Sequence, residues 1–180
     1  MGWFSPVKGA YPSLGQVDKT LPLSADVEKL ERGMIVALNP GTNDKEEKNG
    51  VWALPKATDK LLYVALQDSS DPTAGFAGTS FDPKGGVPCI TALDLNQDAE
   101  YETSVFDGDV TYAVGDPLKA NSDGILTKST GENDVVVGYV TGVPTDRWVN
   151  NAIAVPPWQK DQRLAYRTGA TVSVLRFKTK

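Results

Sequence analysis

The chain has 180 residues, 40% of them hydrophobic, with a formal net charge of −5 and a pI near 4.8. That length and apolar content suit one packed domain with elaborations, and the acidic balance disfavours general affinity for nucleic acid or anionic membranes, because phosphates attract basic surfaces. The absence of histidine removes the commonest general base, neutral-pH switch and metal ligand. The single cysteine, Cys89, excludes an internal disulfide or a Cys-rich zinc site and reads as a small apolar residue.

The opening stretch has neither a charged n-region nor an apolar h-region, so no signal peptide is expected. A myristoylation reading of Met1-Gly2 fails at Pro6, and no apolar run approaches the ~18 residues needed to span a bilayer. Pro6, Pro12 and Pro22 forbid a helix through residues 1–23. Large apolar residues without a period, among them Trp3, Phe4 and Tyr11, make this segment an extended N-terminal arm lying on its own domain or on a neighbouring subunit. Residues 24–180 then form a single β-rich domain.

Ser24–Glu31 fits either one or two helical turns capped by Ser24 and stopped by Gly33, or a strand over Val27–Leu30. Met34–Leu38 is an apolar strand turned by Asn39-Pro40-Gly41, and Thr42–Asn49 is a charged loop. After the Asn49-Gly50 turn come a strand at Val51–Leu54, a turn at Thr58–Lys60 and a strand at Leu61–Gln67. Asp68–Gly86 is a long Gly/Pro/Ser/Asp loop anchored by Phe76 and Phe81, the kind of excursion that makes contacts.

Val87–Asp107 alternates clearly and reads as one strand or a strand-turn-strand. Leu93, Leu95, Ala99 and Tyr101 share one face, and Asp94, Asn96, Asp98, Glu100 and Glu102 share the other. Asp94-x-Asn96-x-Asp98 invites a calcium reading, but Ala99 stands where an EF-hand loop needs Gly and Val105 where it needs Glu. No metal, cofactor or catalytic residue is assigned. The chain has no phosphate-binding loop, dinucleotide fingerprint, nucleophile elbow or zinc-protease motif, and an enzyme is not expected.

Val110–Gly142 reads as a compact antiparallel meander. Val110–Val114 alternates and stops at Gly115-Asp116. Pro117–Ala120 breaks at Asn121-Ser122-Asp123-Gly124. Ile125–Lys128 turns at Ser129–Asn133, and Val135–Thr141 is a β-branched run. The sequence Gly-Asp-Pro-Leu-Lys-Ala, an Asp-Gly turn, a short strand with Thr-Lys, a polar loop and Val-Val-Val-Gly-Tyr-Val resembles the core of phage capsid decoration, or head cement, proteins, and is similar to those of lambdoid phages. The match covers about a fifth of the chain and rests on turns and apolar positions. It implies a virion protein made in the host cytoplasm that sits on the capsid's outer surface. Its partners would be the major capsid protein and itself, as a homotrimer or other homo-oligomer, with no nucleic acid or membrane partner.

The segments 31–68 and 113–142 parallel one another. In each, Gly precedes a strand, an x-Gly turn opens a short strand, a polar loop follows and an apolar strand closes, as in an internal repeat. Charge is uneven: Lys84 to Lys119 encloses no basic residue, whereas from Arg147 onward Arg147, Lys160, Arg163, Arg167, Arg176, Lys178 and Lys180 face only Asp161. Such asymmetry suggests complementary contact between subunits or with a shell. Ala152–Val155 and Ala170–Phe177 read as closing strands.

The expected fold is mainly β: a small, partly open β-barrel (tulip-like) or a sandwich of short antiparallel strands, with an extended N-terminal arm and long loops. The expected role is cementing adjacent capsomers, with another virion module (head fibre base, tail or baseplate) or a carbohydrate-binding β-sandwich as alternatives. Exposure logic, and not the resemblance, puts the contact residues among aromatics and basics outside the meander: Trp3, Phe4, Tyr11, Phe76, Phe81, Trp148 and Trp158, with Arg163 and Arg167.

Overall fold

A computed structural model describes residues 4–8, 19–24, 26–40, 50–66, 68–69, 89–95, 99–148 and 171–180. Among these residues the chain is all strand, with no helix. It runs β1 (Phe4–Lys8), β2 (Lys19–Pro22), β3 (Ile35–Asn39), β4 (Val51–Ala53), β5 (Leu62–Ala65), β6 (Cys89–Asp94), β7 (Glu100–Thr103), β8 (Pro117–Ala120), β9 (Leu126–Lys128), β10 (Gly138–Trp148) and β11 (Thr171–Thr179). The strands form two antiparallel sheets, so the mainly β expectation holds. Sheet A has the order β1-β7-β11-β10-β8-β9, and sheet B the order β2-β6-β5-β3-β4.

Alternation along the strands of sheet B sends apolar side chains to both faces. Ile35, Ala37, Leu62, Val64 and Leu93 enter a core shared with the inner face of sheet A, where Phe4, Tyr101, Leu118, Leu126, Val140, Leu175 and Phe177 meet them. Val36, Tyr63, Ala65, Ile90 and Ala92 enter a second cluster built around Trp52. Sheet B curls into a half-barrel around that cluster. Its edge strands meet at a parallel bridge between Leu23 and Trp52, and the Ser24 N–H donates to the Trp52 carbonyl at 2.8 Å. Trp52 has no exposed surface, and its indole N–H donates to the Ile90 carbonyl at 2.8 Å across the half-barrel.

The two sheets repeat one arrangement. In the first unit Ile35 faces Val64, Leu38 faces Trp52, Val64 faces Leu93 and Leu21 faces Ile90. At the same places in the second, Pro117 faces Tyr139, Ala120 faces Leu126, Tyr139 faces Lys178 and Thr103 faces Leu175. The bridge Leu23–Trp52 has its counterpart in Phe106–Leu126. Turn hydrogen bonds repeat as well. Gly33 donates to Ala65, and Ala65 donates back to Met34; Gly115 donates to Val140, and Val140 donates back to Asp116. Both glycines have positive φ, 95° and 92°, where a Cβ would strain the turn. In strand order, then, β2–β6 correspond to β7–β11.

Several local expectations change. Val110–Val114 is not a strand. Its backbone donors are spent on turns, Val110 to the Asp107 carbonyl and Ala113 to the Asp116 carboxylate, so no ladder forms and Val114 turns outward. The run Val135–Thr141 joins the sheet only from Gly138. The described part of Ser24–Glu31 is neither helix nor strand; Leu30 is tied by exchanged bonds with Ser69. Val87–Asp107 divides into β6 and β7, which lie in different sheets, with Leu93, Leu95, Ala99 and Tyr101 buried on one side. Within the segment read as an arm, β1 and β2 pair with β7 and β6 of the same chain. Ala152–Val155 lies outside the described residues.

Two substitutions test this packing by chemical or thermal unfolding. Trp52→Ala empties the half-barrel and should cost about 3–5 kcal/mol. Gly124 has φ 74°, and a Cβ there would lie 2.5 Å from the Ile35 carbonyl oxygen. Gly124→Ala should therefore destabilise by about 1–3 kcal/mol, whereas a surface Gly108→Ala, with open space around it, should not.

Candidate interaction surface

The inner face of sheet A packs against sheet B, and among the described residues its outer face carries the exposed apolar side chains. Strand β7 presents Glu100 and Glu102 beside Lys178 and Arg176 of β11, paired in register. Arg176 grips Glu102 at 2.7 Å, and the Thr141 hydroxyl donates to Glu100 at 2.6 Å. The acidic and basic halves of the sequence thus meet, in their described parts, as adjacent strands of one chain. A partly exposed pair of this kind contributes little to stability, of order ~0–1 kcal/mol, and serves mainly to define the surface.

Beside this ladder the face becomes apolar. Val114 is 69% exposed, Val143 45% and Tyr139 43%, three of the four large hydrophobic residues exposed among the described residues. Val114 and Val143 flank a groove floored by buried Val174 and rimmed by Thr145 and the Glu102–Arg176 pair. The position equivalent to Val114 in the first unit is polar. Where the second unit has Val114, the first has Arg32, whose N–H donates to the Asp68 carboxylate at 2.6 Å and whose guanidinium donates to the Phe4 carbonyl of β1 at 3.0 Å.

Several turns of the second unit are pinned by carboxylates. Asp134 accepts from the Gly131 and Thr130 N–H groups, the Ser129 hydroxyl and Lys119. The Gly131 amide, then Lys119 and Ser129, hold its carboxyl down to about 2. Asp116 accepts from the Ala113 N–H and pairs with Lys128 at 2.8 Å, and Lys128 followed by that amide lowers its carboxyl below the ordinary range. Tyr112, packed edge-on against Phe106, donates its hydroxyl to the Asp107 carbonyl; burial first, then the Asp107 charge, pushes it up to about 12. These groups fix turns and strands. Among the described residues no three His, Cys, Asp or Glu side chains gather as a metal site, and no helix is long and apolar enough to cross a membrane.

Of the contact residues expected from the sequence, Phe4 is described with its side chain. It is 3% exposed and stacks on Tyr101 with ring centroids 4.9 Å apart, inside the chain's own core. Trp148 ends β10, its backbone paired with Thr171. Trp3, Tyr11, Phe76, Phe81, Trp158, Arg163 and Arg167 lie outside the described residues. Val114 and Tyr139 were legible only as members of the runs Val110–Val114 and Val135–Thr141, and Val143 belonged to neither. An apolar residue placed directly before the Gly115-Asp116 turn was the one local signal.

The pinned turns make stability acid-sensitive. A carboxyl whose folded pKa is depressed adds stability above its unfolded pKa near ~4 and loses it as pH falls through the folded value. The melting temperature should therefore hold from neutrality to about pH 5 and fall between about pH 4 and 2. Asp134→Asn should lower the melting temperature at neutral pH and shrink the acid-dependent fall, as scanning calorimetry would show.

No family model, curated protein or solved structure matches the chain.

Proposed function

We propose that this chain is a structural virion protein that binds the outer surface of a phage capsid and cements adjacent capsomers. One observation carries the reading. The segment Val110–Gly142, which resembles the core of capsid decoration proteins, supplies β8, β9 and the start of β10, and the exposed Val114 and Tyr139 lie within it. A rigid strand-turn-hairpin-strand block with pinned turns suits a protein that must present one fixed surface to a repeating lattice. The major capsid protein is the partner in this reading, and the outside of the virion the location.

The mechanism is linkage. A subunit that binds the mature, expanded shell and not its precursor stabilises that shell by RT ln(1 + [L]/Kd) at each site, and the effect is repeated over every site. If the subunit self-associates, its several contacts add by effective concentration.

Co-sedimentation with purified shells that lack this protein tests the reading. The chain should pellet with expanded shells at a saturable stoichiometry and raise their melting temperature. Chain that stays in the supernatant, or that pellets without shifting the shell transition, would overturn it.

A further inference from the structure

We infer that the seam between β8 and the residues leading into β10 binds an extended acidic peptide of a partner protein, held by main-chain pairing and lysine contacts. The inference does not rest on the cementing role.

The β8–β10 ladder stops one pair short of its counterpart in the first unit. There Ile35 faces Val64, and the ladder runs on to Leu38, whose N–H donates to the Leu61 carbonyl at 3.1 Å. In the second unit Leu118 faces Gly138, so Ala120 and Val136 would form the corresponding pair. No hydrogen bond joins them. Val137 donates instead to the Leu118 carbonyl at 2.8 Å, which takes Val136 out of step. Alternate residues of an antiparallel strand turn their backbone groups to opposite neighbours. Asn121 donates to Ile125 on the β9 side, so Ala120 turns its N–H and carbonyl away from β9 and toward the gap. A backbone donor and acceptor placed there call for a partner.

The gap is a cavity of about 380 Å³ whose walls include Ala120 and Val135 with Pro55 and Leu62 of the first unit. A smaller cavity of about 140 Å³ shares Leu62 and Val135 with it and adds Val136. Together the walls carry Lys56, Lys60, Lys119 and Lys180 against Asp59 and Asp134. Both carboxylates are engaged, Asp59 by the Lys56 N–H and Asp134 by Lys119 and its own turn. Lys56, Lys60 and Lys180 have neither an ion pair nor a side-chain hydrogen bond among the described residues, whereas Lys29, Lys119, Lys128 and Arg176 are paired with carboxylates. In a chain of net charge −5, these unpaired cations gather at one seam.

An extended peptide satisfies all three features. Its backbone can bond Ala120 as an added strand does. Its side chains alternate in direction, so apolar ones can enter the cavity while acidic ones meet the lysines. Charge complementarity then selects an acidic partner and makes the contact salt-dependent.

Fluorescence anisotropy with a labelled heptapeptide of alternating glutamate and valine tests this on the full chain, and amide hydrogen exchange locates the site. The peptide should bind saturably at one per chain, slow exchange at Ala120 and weaken as salt rises. Lys56→Glu with Lys60→Glu should weaken binding at least ~tenfold and leave the melting temperature unchanged, because both side chains are exposed. Lys56→Gln with Lys60→Gln should lie between that variant and the wild type. Absence of saturable binding overturns the inference, as does equal binding of the peptide with glutamine in place of glutamate. So does protection that spares Ala120, or a peptide that binds both variants as well as the wild type. Full displacement by low-millimolar inorganic phosphate at constant ionic strength reduces the seam to a simple anion site and overturns it too. A mass by light scattering that doubles at high concentration in the wild type and not in the glutamate variant assigns the seam to a second copy, with the same consequence.

Discussion

Sheet B buries apolar side chains on both faces, and this constraint governs much of the remaining arrangement. A strand that buries both sides cannot leave backbone donors or acceptors to water, so each edge must end on a partner. The Leu23–Trp52 bridge joins two edges of the half-barrel, and the Ile35 N–H finds the Gly124 carbonyl of the other unit at 2.7 Å. The close approach at Gly124 follows directly, because the backbone of one unit must touch the backbone of the other for that bond to form. Pro117 stands where the second unit would offer the reciprocal donor, and it has none to leave unpaired. The repeat is therefore asymmetric by one hydrogen bond.

The two units meet through unlike faces. The outer side of the first packs into the inner side of the second, and a contact of that type would propagate if every unit were chemically identical. It stops because the exposed side of the second unit replaces Val64 and Leu93 with Tyr139 and Lys178 and carries the Glu102–Arg176 pair. A polar ladder is costly to desolvate under an apolar face, so stacking ends after two units.

Short strands give the turns unusual weight. With β4 and β9 only three residues long, little ladder energy fixes the hairpins, and side chains do so instead. Asp59 caps the Lys56 N–H and, at the equivalent turn, Asp134 caps Gly131; Asp116 and Asn121 do comparable work nearby. These polar residues could be taken for chemistry in the sequence, but in the fold their acceptors are filled by the backbone they hold.

Local physics was readable from the residues alone. Period-2 alternation and Gly/Asn/Asp punctuation located β3, β4, β5, β8, β9 and β11, because those signals arise within a few residues. What tertiary structure decided was non-local. Val110–Val114 has a strand's composition, yet its donors are claimed by Asp107 and Asp116, and that competition exists only once the chain is folded. Leu93 through Tyr101 reads as one amphipathic surface, yet β6 and β7 belong to different sheets whose inner sides face the same core. Phe4 looks like a contact residue by hydrophobicity and becomes core by stacking on Tyr101. The acidic and basic stretches look like two poles of an intermolecular contact, and β-pairing across distant sequence makes them neighbours. A sequence states which faces are apolar; which partner covers each face is a free-energy comparison over the whole chain, and only the assembled sheets resolve it.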